Sequence, residues 1–304
     1  MIFDVGFAEF FYVNQVPDRV ASWPSSGVTQ SWTPPAGVYW VWVKTCAGGG
    51  GGGTSVKSFF TTGGGGGGGA GESVEGVILQ VTPGIPVPIY VGGGGPGGYW
   101  SLGQSKKVHV GPESNLGTTG SGWGGENTII GPLVLNGGFG GLDYSAGHGG
   151  CGGGPRAGLG AGGFGAGGAN NGDRITFRDS QPGFNVKVKD NGRYWAGSGG
   201  ACSGTNGSLT DGAGIGGGQG PFVGGAEGLR SSGVTGGAGG GASAFGNGGN
   251  GGNGNSNAPA VGAFGVGGGG GGGCSTLNGF TIPSFFGAYG GDGYVSLHYL
   301  IITP

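Results

Sequence analysis

Charged side chains are scarce in this sequence, and helix-forming runs of Leu, Lys, Glu and Ala are missing altogether. Charged residues make up 9% of the 304 and the formal net charge is −2, so neither a basic footprint for nucleic acid nor an acidic tail is present. Lys106-Lys107 is the only adjacent basic pair, which suits a solvated turn better than a phosphate site. The three histidines, His109, His148 and His298, stand far apart without a metal-ligand companion at recognisable spacing. The four cysteines, Cys46, Cys151, Cys202 and Cys274, share no C-x-x-C spacing, and all lie beside or within two residues of glycine runs. Buried thiols are the expectation, with pairing inside the chain left open. Met1 to Val16 lacks both a basic start and a long apolar run, so neither a signal peptide nor a membrane span is expected there.

Catalytic signatures are equally thin. G-x-G-x-x-G recurs by chance at this glycine density, with no strand-turn-helix context, and no G-x-x-x-x-G-K-[ST] exists. Asp173, Asp179, Asp190 and Asp211 lack the supporting motif that a paired-carboxylate hydrolase requires; Asp in a turn usually caps its own backbone. The sequence therefore reads as a non-enzyme without cofactor or metal.

What is abundant is glycine, 93 residues against a usual share of about 7%. A flexible linker is the plain reading of such a composition, but 35% hydrophobic and 11% aromatic residues run along the chain, too many for a solvated coil. Ordering so much glycine costs more backbone entropy than any other composition, and dense main-chain contacts must offset it.

Three regions separate by pattern. Residues 1–35 are rich in aromatics and proline and nearly free of glycine, which suits an attachment segment or a first strand. From Ala36 a β-branched and aromatic run through Val43 and Thr45 reads as a buried strand. Ser73 to Thr82 reads as a second strand. Pro83-Gly84 marks a turn, and Ile85 to Val91, with Pro86 and Pro88, reads as an edge strand. Gly293 to Ile302 is again strand-like. The sequence predicts a β-sandwich scaffold from residues 36–91 plus 286–304, closed by strands from both chain ends, with residues 92–285 inserted and essentially no α-helix.

In the insert, glycine runs alternate with polar and aromatic segments. Glycine costs about 1 kcal/mol per residue in an α-helix relative to alanine, so helices are excluded. Asn247, Asn250 and Asn253 recur every third residue, as do Ala161 and Phe164. A period of three belongs to the polyproline-II type of helix. Collagen is ruled out by broken register and only 16 prolines. The remaining solution is an all-β/irregular chain whose insert is a bundle of polyglycine-II helices, each satisfying its N–H and C=O groups on its neighbours.

The order of these elements resembles a glycine-rich domain of phage tail-fibre proteins. The similarity is carried by WTPPAGVYWVWVKTCAGGGGGG at 32–53, GGGGGGGAGESVEGVILQVTPGIPVPIYVGGGG at 63–95 and GGDGYVSLHYL at 290–300. The insert also resembles, in architecture, the distal adhesins of T-even-type phages, a polyglycine-II sandwich whose loops contact host outer-membrane proteins or surface glycans. The resemblance implies a virion protein made in the bacterial host cytoplasm, placed on a tail fibre or tail tip, with other tail or baseplate proteins as partners and a homotrimer among the assemblies open to it.

Candidate receptor-binding residues are the aromatics between glycine runs: Tyr99, Trp100, Trp123, Tyr144, Phe177, Tyr194, Trp195 and Phe222. On loops such as 99–123, 170–196 and 203–211, aromatics offer large contact area at low rotamer cost; each one alone could equally cover an end of the bundle. The leading expectation is a host-attachment adhesin. The alternative is a purely structural virion component, a baseplate or fibre connector or a decoration protein. An ice-binding protein is a third, less favoured because the bulky loops and seven tryptophans spoil a flat face.

Overall fold

The computed structural model describes residues 19–53, 56–57, 62–63, 65–98, 122–141, 189–190, 193–194, 196–197, 199, 204–205, 222–226, 237–251, 267–271 and 287–301. Among them there is no helix. The strands in chain order are β1 (Arg19–Pro24), β2 (Gln30–Trp32), β3 (Trp40–Cys46), β4 (Val56–Lys57), β5 (Thr62–Gly63), β6 (Ser73–Gln80), β7 (Val87–Tyr90), β8 (Thr128–Ile130), β9 (Leu133–Leu135), β10 (Lys189–Asp190), β11 (Arg193–Tyr194), β12 (Gly204–Thr205) and β13 (Tyr294–Tyr299).

Two antiparallel sheets carry the apolar residues. In the first, ordered β1-β13-β3-β6-β11-β10, strands from the two ends of the chain interleave, as their sequence pattern predicts. Alternation decides which side chains face inward. Val41, Val43 and Thr45 of β3 are buried, with Val295 and Leu297 of β13 opposite Thr45 and Val43. Trp40, Trp42 and Lys44 lie half-buried on the other face. The β3/β6 register shifts between Val43 and Lys44, and Gly76 is the extra residue. Its φ of 80° lies in the left-handed region, which glycine enters without a Cβ penalty.

The second sheet is ordered β2-β7-β8-β9. Thr82-Pro83-Gly84-Ile85 forms the turn that leads to it, with Ile85 N–H donating to Thr82 O at 3.0 Å and Gly84 at φ 76°. Here one expectation is corrected: β7 is not an edge strand but lies between β2 and β8. Pro88 is tolerated because β8 pairs only with Ile89 and Tyr90, and Pro88 meets the β8–β9 turn, where its carbonyl accepts from Gly131 N–H at 2.9 Å. The β8–β9 hairpin stands within the range 92–285, so that range contributes strands to the sheets as well as glycine runs.

Both sheets feed one apolar cluster that includes Val38, Val41, Val43 and Leu297 together with Ile89, Val91, Ile130 and Leu135. Each such side chain contributes about 1.5–3 kcal/mol when fully buried. Trp32 closes the cluster, its ring centroid 5.4 Å from that of Tyr299 and 6.5 Å from that of Trp23. A small third sheet, ordered β12-β5-β4, stands apart from it.

Six of the strands do not end in ordinary loops. β3 runs on into 47–53, β7 into 91–98 and β9 into 136–141, while 65–72, 122–127 and 287–293 run into β6, β8 and β13. Residues 47–53 are buried throughout and make no backbone hydrogen bond within their own tract. Their donors repeat every three residues. Ala47, Gly50 and Gly53 donate to Glu72, Gly69 and Gly66; Gly48 and Gly51 to Glu126 and Trp123; Gly49 and Gly52 to Gly291 and Ala288, all at 2.8–3.1 Å. Their carbonyls follow the same step: Gly48 and Gly51 accept from Gly138 and Gly141, Gly49 and Gly52 from Gly95 and Gly98, and Gly50 from Gly270. Tract 47–53 is thus enclosed by three tracts whose carbonyls accept from it and three whose N–H groups donate to it. Only glycine permits this approach, since a Cβ on Gly50 would lie 2.1 Å from Phe139 O and one on Gly68 2.1 Å from Gly50 O.

Candidate functional site

The tracts have two ends. At the sheet end, residues 47, 72, 92, 126, 136 and 293 adjoin strands or stand within a residue or two of them. At the far end stand Gly53, Gly66, Gly98, Gly122, Gly141 and Gly287, joined by bonds such as Gly122 N–H to Gly141 O at 2.8 Å and Gly287 N–H to Gly98 O at 3.0 Å. The described residues that flank 54–64, 99–121 and 272–286 on both sides lie at this end. The flanks of 227–236 lie there as well, since Gly251 N–H donates to Ala226 O and Ala238 N–H to Gly65 O. The hairpin β4–β5 lies within 54–64, and β12 pairs with it.

The eight candidate aromatics divide accordingly. Trp123 sits at the far end, half-buried, its N–H bonded to Pro96 O and its carbonyl to Gly51 N–H. Tyr99 and Trp100 follow directly on Gly98 but lie outside the described residues, as do Tyr144, Phe177 and Trp195. Tyr194 belongs to β11, opposite Ser73, and so stands at the sheet end. Phe222 is half-buried at the start of tract 222–226, where the adjoining Val223 bonds to Gly248. The described aromatics therefore do not converge on one point.

A second set of polar residues was not singled out by sequence reasoning. The three tracts that enter strands each close on an acid: Gly71-Glu72, Gly125-Glu126 and Gly291-Asp292. Each carboxylate accepts a backbone N–H at the start of a tract leaving the second sheet. Asn136 donates to Glu72 Oε2 at 3.0 Å, Gly93 to Glu126 Oε2 at 3.0 Å and Gly94 to Asp292 Oδ1 at 2.8 Å. Thr128 Oγ1 accepts from Gly92 at 3.0 Å and donates to Cys46 O at 3.0 Å. Tyr90 donates its hydroxyl to Glu126 Oε2, and burial, reinforced by that carboxylate, pushes the phenol up to about 12. The signal was present as Gly-acid pairs before strands, but which tracts lie side by side is not written in local sequence.

Two further groups are perturbed. Burial pushes the Cys46 thiol up to about 12, so it stays protonated at neutral pH. His298 is lowered by burial and then by Lys44, and its Nε2 stands 3.0 Å from Ser296 Oγ on the same face of β13. Among the described residues no group of three or more His, Cys, Asp and Glu could hold a metal ion.

The comparisons add no relative: no protein-family model matches the chain, and no curated protein matches it either.

Proposed function

We propose that the chain is a phage virion adhesin: a rigid rod that carries receptor-binding segments at one end and attaches to the tail through the other. In this reading the tracts are polyglycine-II helices packed side by side, and the two sheets form a sandwich from which they grow. The step of three in the hydrogen bonds supports the helix type, and at about 3.1 Å per residue the seven residues of 47–53 span about 22 Å. Stiffness comes from main-chain bonds between tracts, so segments 54–64, 99–121, 227–236 and 272–286 are held from one platform. That shared end is the observation that carries the proposal. Rigid platforms bearing variable connections are a common way of displaying binding residues.

The partner would be a host outer-membrane protein or surface glycan, engaged by aromatics such as Trp100 and Trp123. Binding of the purified chain to host cells is the test. Trp100→Ala, Trp123→Ala and replacement of 101–120 by a short Gly/Ser segment are each expected to reduce it at least tenfold; binding unchanged in all three would remove the far end from the mechanism. A purely structural place in the virion is the second reading. It is favoured by Tyr39, Ile85 and Ile301, exposed beside the strand ends remote from the tracts, a suitable surface for burial against another tail protein. Labelled virions imaged by electron microscopy separate the two, since an adhesin must leave the far end in solvent.

A further inference from the structure

Tract 222–226 lies at an edge of the described bundle, with Val223 63% exposed and Ala226 also exposed. On one side it is bonded like any interior tract. Its Val223 and Ala226 carbonyls accept from Gly248 (3.2 Å) and Gly251 (2.9 Å), and Gly225 N–H donates to Gly240 O at 2.8 Å. The N–H groups of Val223 and Ala226 differ. In tract 47–53, donors three residues apart reach backbone carbonyls of the next tract; here they reach side chains, Asn247 Oδ1 at 3.0 Å and Asn250 Oδ1 at 2.8 Å. Both asparagines are exposed and belong to the tract that already pairs with 222–226. Each carboxamide reaches round to occupy a donor that a further tract would otherwise take.

An open row of backbone donors is a template for another chain, and proteins close such rows with polar side chains. We propose that Asn247 and Asn250 are lateral stops, which keep a glycine tract of a second copy of this chain from adding to the bundle at 222–226. A second copy is the fitting occupant because its own tracts carry carbonyls at the same three-residue spacing. The proposal concerns the edge alone and is independent of what the far end binds.

The full chain carrying Asn247→Gly and Asn250→Gly exposes both donors. Sedimentation velocity over a hundredfold concentration range is expected to show concentration-dependent association beyond the wild-type species. Asn247→Asp with Asn250→Asp keeps an acceptor at each place and is expected to stay at the wild-type mass. A single Asn250→Ala variant, read by amide exchange, is expected to speed exchange at Ala226 at least tenfold while Gly50 and Gly51 stay protected. Wild-type mass in the glycine variant at every concentration, equal association of the aspartate variant, or unchanged exchange at Ala226 would each overturn the proposal.

Discussion

At Gly50 the missing side chain is what lets two backbones touch. A Cβ there would meet Phe139 O at 2.1 Å, a fixed main-chain atom that cannot swing aside. Gly93 has the same tract setting with different surroundings: its Cβ position is bordered by Glu126 Oε2, Ser25 Oγ and Asp292 Oδ1 at 3.5–3.7 Å, ordinary contact distances. Gly50→Ala is therefore expected to destabilise by about 3 kcal/mol or more, the upper range for overpacking. Gly93→Ala should be neutral or up to about 1 kcal/mol stabilising through the unfolded chain. Denaturant midpoints of the two variants against wild type check the contrast. Cys46 provides a pH-dependent counterpart. Its thiol ionises near 9.0 when unfolded and near 12 when folded, so the folded state holds the proton more tightly. Stability is full below about pH 9 and falls as pH rises from there toward 12. Urea titrations at pH 8, 9.5 and 11 should show that fall, and Cys46→Ala should reduce it, leaving above about pH 10 the part that belongs to Tyr90.

Elements meet at the acid-ended tracts. Where a tract enters a sheet, the chain changes from side chains alternating every two residues to hydrogen bonds stepping every three. At that crossover the N–H groups of Asn136, Gly93 and Gly94 donate to the carboxylates of Glu72, Glu126 and Asp292, side-chain oxygens placed at the junction. Glu126→Ala leaves Gly93 N–H and the Tyr90 hydroxyl without that acceptor and is expected to cost about 1–3 kcal/mol in thermal or denaturant unfolding. Glu126→Gln keeps an acceptor and should cost less. It also removes a charge that raises the Tyr90 phenol, so the alkaline titration of Tyr90 followed by ultraviolet absorbance should move to lower pH. The strands with β-branched alternation, β3, β6 and β13, were legible in the sequence to within four residues at each end. β8 and β9 were not, because three-residue strands around Gly131-Pro132 are too short to show a period. Pro88 misled for a different reason: it forbids a ladder bond on one side of one residue, and β8 stops short of that place.

At the scale of the whole molecule, the described residues form one continuous structure of sheets and tracts, since six of the strands run directly into tracts. Sequence composition pointed to close backbone packing, and the three-residue spacing of Asn247 and Asn250 matches the step of the donors they accept. Which tract neighbours which could not be read, because bonds such as Gly49 to Gly291 join residues far apart in a chain of near-identical glycine runs. For the same reason the far end, where the flanks of four connecting segments lie, becomes visible only in three dimensions. The central claim is that glycine tracts supply rigidity through main-chain bonds. Amide hydrogen exchange resolved at Gly48 to Gly53 tests it most directly. The account predicts protection comparable to that of Val41 and Val43 in β3, lost only on global unfolding. Exchange of those glycine amides at rates typical of an unstructured chain, with β3 still protected, would contradict it.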